Sequence, residues 1–454
     1  MPRSMIASFN PGTILLAVII MLGVVSVVGY QDSFSQAEAN ENNVANQVRF
    51  SKPVNLTNNA RDSVYAQVAT HGNSVFVVWQ EDPPSRYSDG DNLVNYEILI
   101  KKSVDGGLMF GDEINLSNNP GFSEHPQIAT SGNNVYVAWI DNSPSIDSLP
   151  SEDNKKIIFR KSTDGGNTFG EMVTLSNVPA ADSFNQEMAA AGNKVYVVWQ
   201  VTPLLPTTNR NNIETGNADT DDESSILLAT STDNGETFEE AKSLSNNAFK
   251  SYPKVAAYEN NVYVVWNVGI IGDNANREND SNNNSSADSG IFLTKSFDSG
   301  RDFDDTIKLN ANWNSVGESQ VAVTGDNVYV VWGGNPDEKV AGNLFYTLGS
   351  DDGTTFSAAT TFTEKNTLNV EVATDNNAVY IAWQGVLEDG NEEIYIKKSL
   401  DAGATFTEFN ENISKNEGVS ECTSIAISED SKKVYLAWED SPARNHEILF
   451  ARSL

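Results

Sequence analysis

The chain is poor in the residues that usually build stapled or metal-centred folds. Among 454 residues there is one cysteine, three histidines and 29 Lys+Arg. A single thiol, Cys422, cannot close an internal disulfide, so no cystine framework holds the molecule. Three scattered histidines leave no H-E-x-x-H or Cys/His zinc pattern. The scarcity of cations against 62 Asp+Glu gives a formal charge of −33. Nucleic acid is thereby excluded as a partner, because phosphate binding needs clustered Lys/Arg. What remains is a chain that is 39 % hydrophobic, enough for a large core.

The N-terminus reads as an export segment. Arg3 precedes an uncharged run from Thr13 to Val28, followed by small-x-small sites at Ser35-Gln36-Ala37 and Ala37-Glu38-Ala39. The run is long for a cleaved signal and slightly short for a typical spanning helix. Both outcomes stay open: residues 1–39 are a signal peptide or a membrane anchor, 40–47 a linker, and 48–454 the body. The expected location is extracellular or at the cell surface. Membrane contact would come only through an uncleaved N-terminal segment.

The body is one unit repeated seven times. Seven of the eight tryptophans, Trp79, Trp139, Trp199, Trp266, Trp332, Trp383 and Trp438, end phrases such as VYVVW. These runs are β-branched and aromatic, follow turn signals such as GNN, and are apolar on both faces, as fully buried strands are. A short strand precedes each, as in Gln67–Thr70, and another follows, as in Glu97–Ser103. That third strand leads into S-x-D-x-G-x-T-F, seen in full at Ser162–Phe169, Ser231–Phe238 and Ser399–Phe406, and more loosely at Ser103–Phe110, Ser296–Phe303 and Gly349–Phe356. An Asp two residues before Gly folds its carboxylate onto free backbone N–H groups, while Gly supplies the positive φ. Asp105, Asp164, Asp233, Asp298, Asp351 and Asp401 are therefore assigned to turns rather than to catalysis.

A fourth short strand after each box completes a four-stranded antiparallel unit, the blade of a β-propeller. The chain stops at Leu454, where a seventh box should begin, while Phe50–Asn58 matches the segments that follow complete boxes. The expected fold is all-β: a seven-bladed propeller of four-stranded antiparallel blades, with the N-terminal strand completing the last blade and closing the ring.

These boxes resemble the Asp-box (BNR) repeats of sialidase-like propellers, over residues 48–454. The resemblance implies a propeller, and for a sialidase it implies six blades, a Phe-Arg-Ile-Pro-like motif, three substrate-binding arginines, an acid/base Asp and a Tyr/Glu pair. Here Val48–Pro53 is not that motif, and the repeat count is seven.

Strand direction puts the boxes and first-to-second turns on one face, and the long second-to-third loops on the other. Variable loops on a repeat scaffold are the usual place for recognition. Arg61, Arg86 and Arg444, with Tyr87, Glu439 and His446 nearby, belong to blades that become neighbours on closure. They converge on an anionic ligand or pair with local carboxylates. Asp219, Asp221, Asp222 and Glu223 alternate as in calcium loops, so Ca²⁺ is the cofactor such a loop would take, though none is required. Trp313, outside the repeat, would stack on a sugar or pack over the mouth. The leading expectation is a non-catalytic surface propeller binding a glycan or surface protein through its long-loop face. The alternative is an exo-sialidase-type glycoside hydrolase using Glu187, Glu318 or Glu371 at inner-strand positions.

Overall fold

The computed structural model describes residues 48–454 apart from 83–94, 143–154, 177–180, 204–223, 246–249, 269–289, 311–314, 336–341, 364–366, 442–444 and positions 388, 409 and 431. The chain divides into two compact units, Met1–Arg49 and Phe50–Leu454, and the fold is that of the second. The apolar run Thr13–Val28 lies outside the described residues.

Seven antiparallel sheets follow one another along the chain. Blades 1 to 6 begin with the first strands Asp62–His71, Ser123–Ser131, Ala181–Ala191, Lys250–Tyr258, Ser315–Thr324 and Thr367–Asp375. Blade 7 starts at Val419–Ile427 and ends with Glu447–Arg452. Its missing outer strand is Val54–Asn55, paired Val54 to Phe450 and Asn55 to Leu449. Further bonds, from Ser51 N–H to the Arg452 carbonyl and from Leu56 N–H to the Ile448 carbonyl (both 2.8 Å), extend the closure. Leu56 then packs with Trp79, Ile448 and Phe450 in one core cluster. The ring is closed by the two chain regions the sequence places there.

The tryptophan strands are the most buried elements because each blade covers both faces of its neighbours. From Val75 to Trp79 every residue is essentially inaccessible, and the same holds for Val195–Trp199 and Val328–Trp332. Burying β-branched and aromatic side chains on both faces supplies the main stabilising term, at about 25 cal/mol per Å² of apolar surface.

The boxes clasp this core from one face. In blade 2, Asp164 Oδ1 accepts the N–H groups of Asn167 (3.0 Å) and Thr168 (2.9 Å) and the Ser162 hydroxyl (2.7 Å). Ser162 Oγ in turn accepts the Gly166 N–H at 2.8 Å. Asp105, Asp233, Asp298 and Asp401 repeat the hydroxyl and turn contacts. These bonds depress the box carboxyls, to about 2 for Asp233 and Asp401, with a Thr or Ser hydroxyl as the largest cause. Each turn also meets the first-to-second turn of its own blade, as where Gly165 N–H reaches the Asn133 carbonyl (2.9 Å), so the two share a face.

Asp351 departs from the expected box. With Gly349 in the serine position there is no hydroxyl to close the turn. The chain instead pairs Thr355–Phe356 with Gly349–Ser350 as a tight hairpin, with Asp351 and Asp352 at φ 51° and 56°.

Candidate functional site

The sites suggested by the long loops divide into two groups. Arg86, Tyr87, Arg444, Trp313 and the acidic run Asp219, Asp221, Asp222 and Glu223 lie outside the described residues. Arg61 is placed at the seam between blades 7 and 1, where its Nε approaches Glu81 (3.5 Å) and donates to the Asp82 carbonyl (3.2 Å). Its guanidinium is thus engaged by local acceptors. His446 reaches the same seam, its backbone N–H donating to Asp62 Oδ1 at 2.9 Å.

The more informative site forms on the propeller axis. All seven first strands shift register, six of them opposite the tryptophan, as between Val64 and Gln67 in blade 1 and Ser251 and Lys254 in blade 4, and blade 5 opposite Gly333, one residue further on. A bulge inserts an extra residue and re-aims its side chain. In six blades that residue is not glycine yet has positive φ: Tyr65 (55°), His125 (52°), Asn185 (52°), Tyr252 (53°), Asn369 (44°) and Cys422 (48°). Such a conformation costs roughly 1–2 kcal/mol per residue and persists only where neighbours over-determine it. The neighbours are visible here. At two seams the polar residue after a tryptophan receives the bulge N–H of the next blade: Gln80 Oε1 that of His125, at 3.0 Å, and Glu439 Oε1 that of Tyr65.

These bulges bring Tyr65, His125, Asn185, Tyr252, Glu318, Asn369 and Cys422 around an axial cavity of about 210 Å³. It lies toward the strand ends from which the long second-to-third connections leave. The Tyr65 and His125 rings meet with centroids 4.0 Å apart. The Cys422 thiol is pushed well above its ordinary value by burial and by the carboxylates of Glu439 and Glu421, and so stays protonated.

Two residues further along each strand, Gln67, Gln127, Glu187, Lys254, Gln320, Glu371 and Ser424 form a deeper polar layer, one from each blade. Lys254 Nζ binds Glu187 Oε2 at 2.8 Å, Gln320 Nε2 donates to Glu371 Oε1 at 2.7 Å, and Ser424 donates to Gln67 at 3.0 Å. Burial opposes the Lys254 charge, but the carboxylates of Glu187, Glu371 and Glu318 outweigh it and hold the ammonium above its usual range. Glu371 is raised to about 8, chiefly by burial; Lys254 draws it down while Glu187 and Glu318 push it up. The inner-strand carboxylates expected from sequence are therefore brought together around one lysine. Lys254 is the sole Lys or Arg among the described residues lining the cavity.

The raised Glu371 has a consequence for stability. Its folded value of about 8 exceeds the unfolded carboxyl value, so its contribution is complete at low pH and is lost as pH rises from about 4.3 to 8. Glu439, raised to about 7 mainly by burial, acts in the same direction. The depressed box aspartates act oppositely, losing stability only as pH falls from about 4 toward 2. Glu371→Gln is therefore expected to flatten the fall in stability between pH 5 and 8. The difference at pH 8 is about 2 kcal/mol, below the full conversion of the shift because Glu371 is only partly buried where it lines the axial cavity. Denaturant titrations at the two pH values check this, and an unchanged slope would contradict it.

Sequence reasoning missed the bulge residues themselves. The signal was an aligned column two positions before the Gln/Glu/Lys layer, where Tyr, His, Asn, Tyr, Glu, Asn and Cys stand in successive repeats. Its variability hid it.

No known family profile matches the sequence. No curated protein matches it. Solved structures do match in shape. A protein of unknown function from Dyadobacter fermentans is 13 % identical with a TM-score of 0.51, over 74 % of this chain and 96 % of that one. A mutant of Trypanosoma rangeli sialidase displaying trans-sialidase activity is 12 % identical with a TM-score of 0.50, over 89 % of this chain and 60 % of that one. The fold is a sialidase-like propeller. The chain spans about three-fifths of the length of the T. rangeli sialidase structures it matches.

Proposed function

We propose that this chain is an exported or surface-anchored propeller of the Asp-box type that binds a neutral glycan, without turning it over, in the axial cavity at its long-loop end. The observation that carries the reading is the lining. Tyrosine and histidine rings stand beside the amides of Asn185, Asn369 and Gln127. Rings that stack and amides that hydrogen-bond suit sugar hydroxyls. A sialoside carboxylate would need a free guanidinium, and Arg61 already serves Glu81 and Asp82. The formal charge of −33 further disfavours anionic ligands.

A second reading rests on the buried carboxylates. Glu371 keeps its proton to about pH 8 within the field of Glu187 and Glu318. A protonated acid beside ionised carboxylate is what glycoside hydrolysis requires. One panel separates the two readings. The full chain is incubated with sialosides and neutral glycosides, and both binding and product release are followed. Binding of neutral sugars without product is the expected result. Robust turnover abolished by Glu371→Gln overturns the non-catalytic reading in favour of the hydrolase. A surface-protein ligand would leave the whole sugar panel unbound.

A further inference from the structure

A separate cluster lies in blade 7 beside the ring closure. Glu421, on the first strand Val419–Ile427, is the direct cross-strand partner of Glu439, on the second strand Val434–Ser441. His446 immediately precedes the third strand. One ligand atom from each of the three lies within 4.8 Å of the other two. Like charges facing each other across a ladder are destabilising unless something compensates them.

Two further observations concern the histidine and Glu439. His446 Nδ1 is a buried atom with no hydrogen-bond partner, and it stands 3.9 Å from Glu439 Oε2. The His446 side chain is 40 % exposed, so this nitrogen is a donor atom left open to a ligand. Glu439 occupies the position after the tryptophan, where its Oε1 accepts the bulge N–H of Tyr65. In blade 1 the same task, on His125, is done by the neutral amide of Gln80. A carboxylate is thus more than the turn requires, and its second oxygen faces His446. The surroundings add charge of the same sign. Glu392 of blade 6 faces Glu421, and Asp82 of blade 1 acts on Glu439, while the Cys422 thiol donates to Glu439.

We infer that Glu421, Glu439 and His446 form a binding site for a first-row divalent transition cation. Two carboxylate oxygens and one imidazole nitrogen suit Zn²⁺ or a similar ion, whereas Ca²⁺ and Mg²⁺ prefer all-oxygen shells. Bonds of about 2.0–2.2 Å would draw the three atoms together by modest side-chain rotation. Because the three ligands come from one blade and Glu439 also holds Tyr65 of blade 1, the cation would stiffen the closure seam. None of the three ligands lines the axial cavity, although Glu439 holds Tyr65, which does.

The test uses the full chain, stripped with chelator and titrated with Zn²⁺, and separately with Co²⁺ as a spectroscopic probe. One equivalent of Zn²⁺ is expected to bind and to raise Tm by about 2–5 °C at a hundredfold excess over Kd. Co²⁺ should develop d–d bands. His446→Gln and Glu421→Gln should each weaken Zn²⁺ binding by about 100-fold and abolish the bands. His71→Gln, which removes the surface pair with Glu429, should change neither. The proposal is overturned if the stripped chain takes up no Zn²⁺ and shows no Co²⁺ bands. It is equally overturned if both Gln variants bind as the parent does, or if Ca²⁺ and Mg²⁺ give the same Tm rise.

Discussion

Leu56→Ala is expected to cost about 3 kcal/mol of stability, as much as Leu116→Ala in an interior blade. The two leucines hold equivalent places. Leu56 N–H bonds to the Ile448 carbonyl and Leu116 N–H to the Ile98 carbonyl, and both side chains are buried, at 5 % and 0 % exposure. One is joined to its blade through a local box, however, whereas the other sits almost 400 residues from the strand it covers. Chemical denaturation of the two variants side by side checks the equality. Deleting residues 50–58 should have a larger effect. It exposes the ladder groups of Glu447–Arg452 as an open edge, so both a lower melting temperature and concentration-dependent association are expected. A near-neutral Leu56→Ala would mean that the N-terminal segment does not complete blade 7.

The second large effect concerns the box glycines. Gly166 has φ +78°, and a Cβ there would fall 2.6 Å from Cε1 of Phe76 in the preceding blade. Gly107 repeats the relation with Phe450, at φ +77° and 2.7 Å. Gly166→Ala therefore combines a left-handed backbone cost of about 1–2 kcal/mol with overpacking of about 1–3 kcal/mol. Gly72 separates the two costs, because it has φ +56° and open space where a Cβ would stand. Gly72→Ala should cost about 1–2 kcal/mol, from the backbone alone. Adding Phe76→Leu to Gly166→Ala should recover part of the excess, a coupling visible in a double-mutant cycle. Equal costs at Gly72 and Gly166 would show that the boxes do not clasp the neighbouring blade.

Much of the architecture was legible because the repeat states it seven times. The Val/Tyr/Trp phrases could only be strands covered on both faces, and the box spacing specified its own hydrogen bonds. Closure was legible too, since Phe50–Asn58 duplicates the segments after complete boxes. Asp351 shows the limit: the box survives in outline, but one missing hydroxyl at Gly349 changes the turn. The axial site was legible only in part. Glu187, Glu318 and Glu371 were placed on inner strands by register, and they do meet around Lys254. What the pattern did not reveal was the bulge. A register shift in each first strand depends on long-range support, such as Gln80 capping His125, and not on local propensity. Tyr65, Tyr252 and His125 consequently do not stand out in the sequence pattern.

The proposed axial site binds neutral sugar and does no chemistry on it. Calorimetric titration of the full chain with a neutral oligosaccharide and with its sialylated counterpart tests this most directly, in parallel with Tyr65→Ala and Tyr252→Ala variants whose melting temperatures confirm folding. A Kd of about 0.1–1 mM is expected for the neutral sugar, weakened about tenfold or more by either substitution, with no heat from the sialylated one. Preferential binding of the sialylated sugar, or affinity for the neutral one that survives both substitutions, would contradict it.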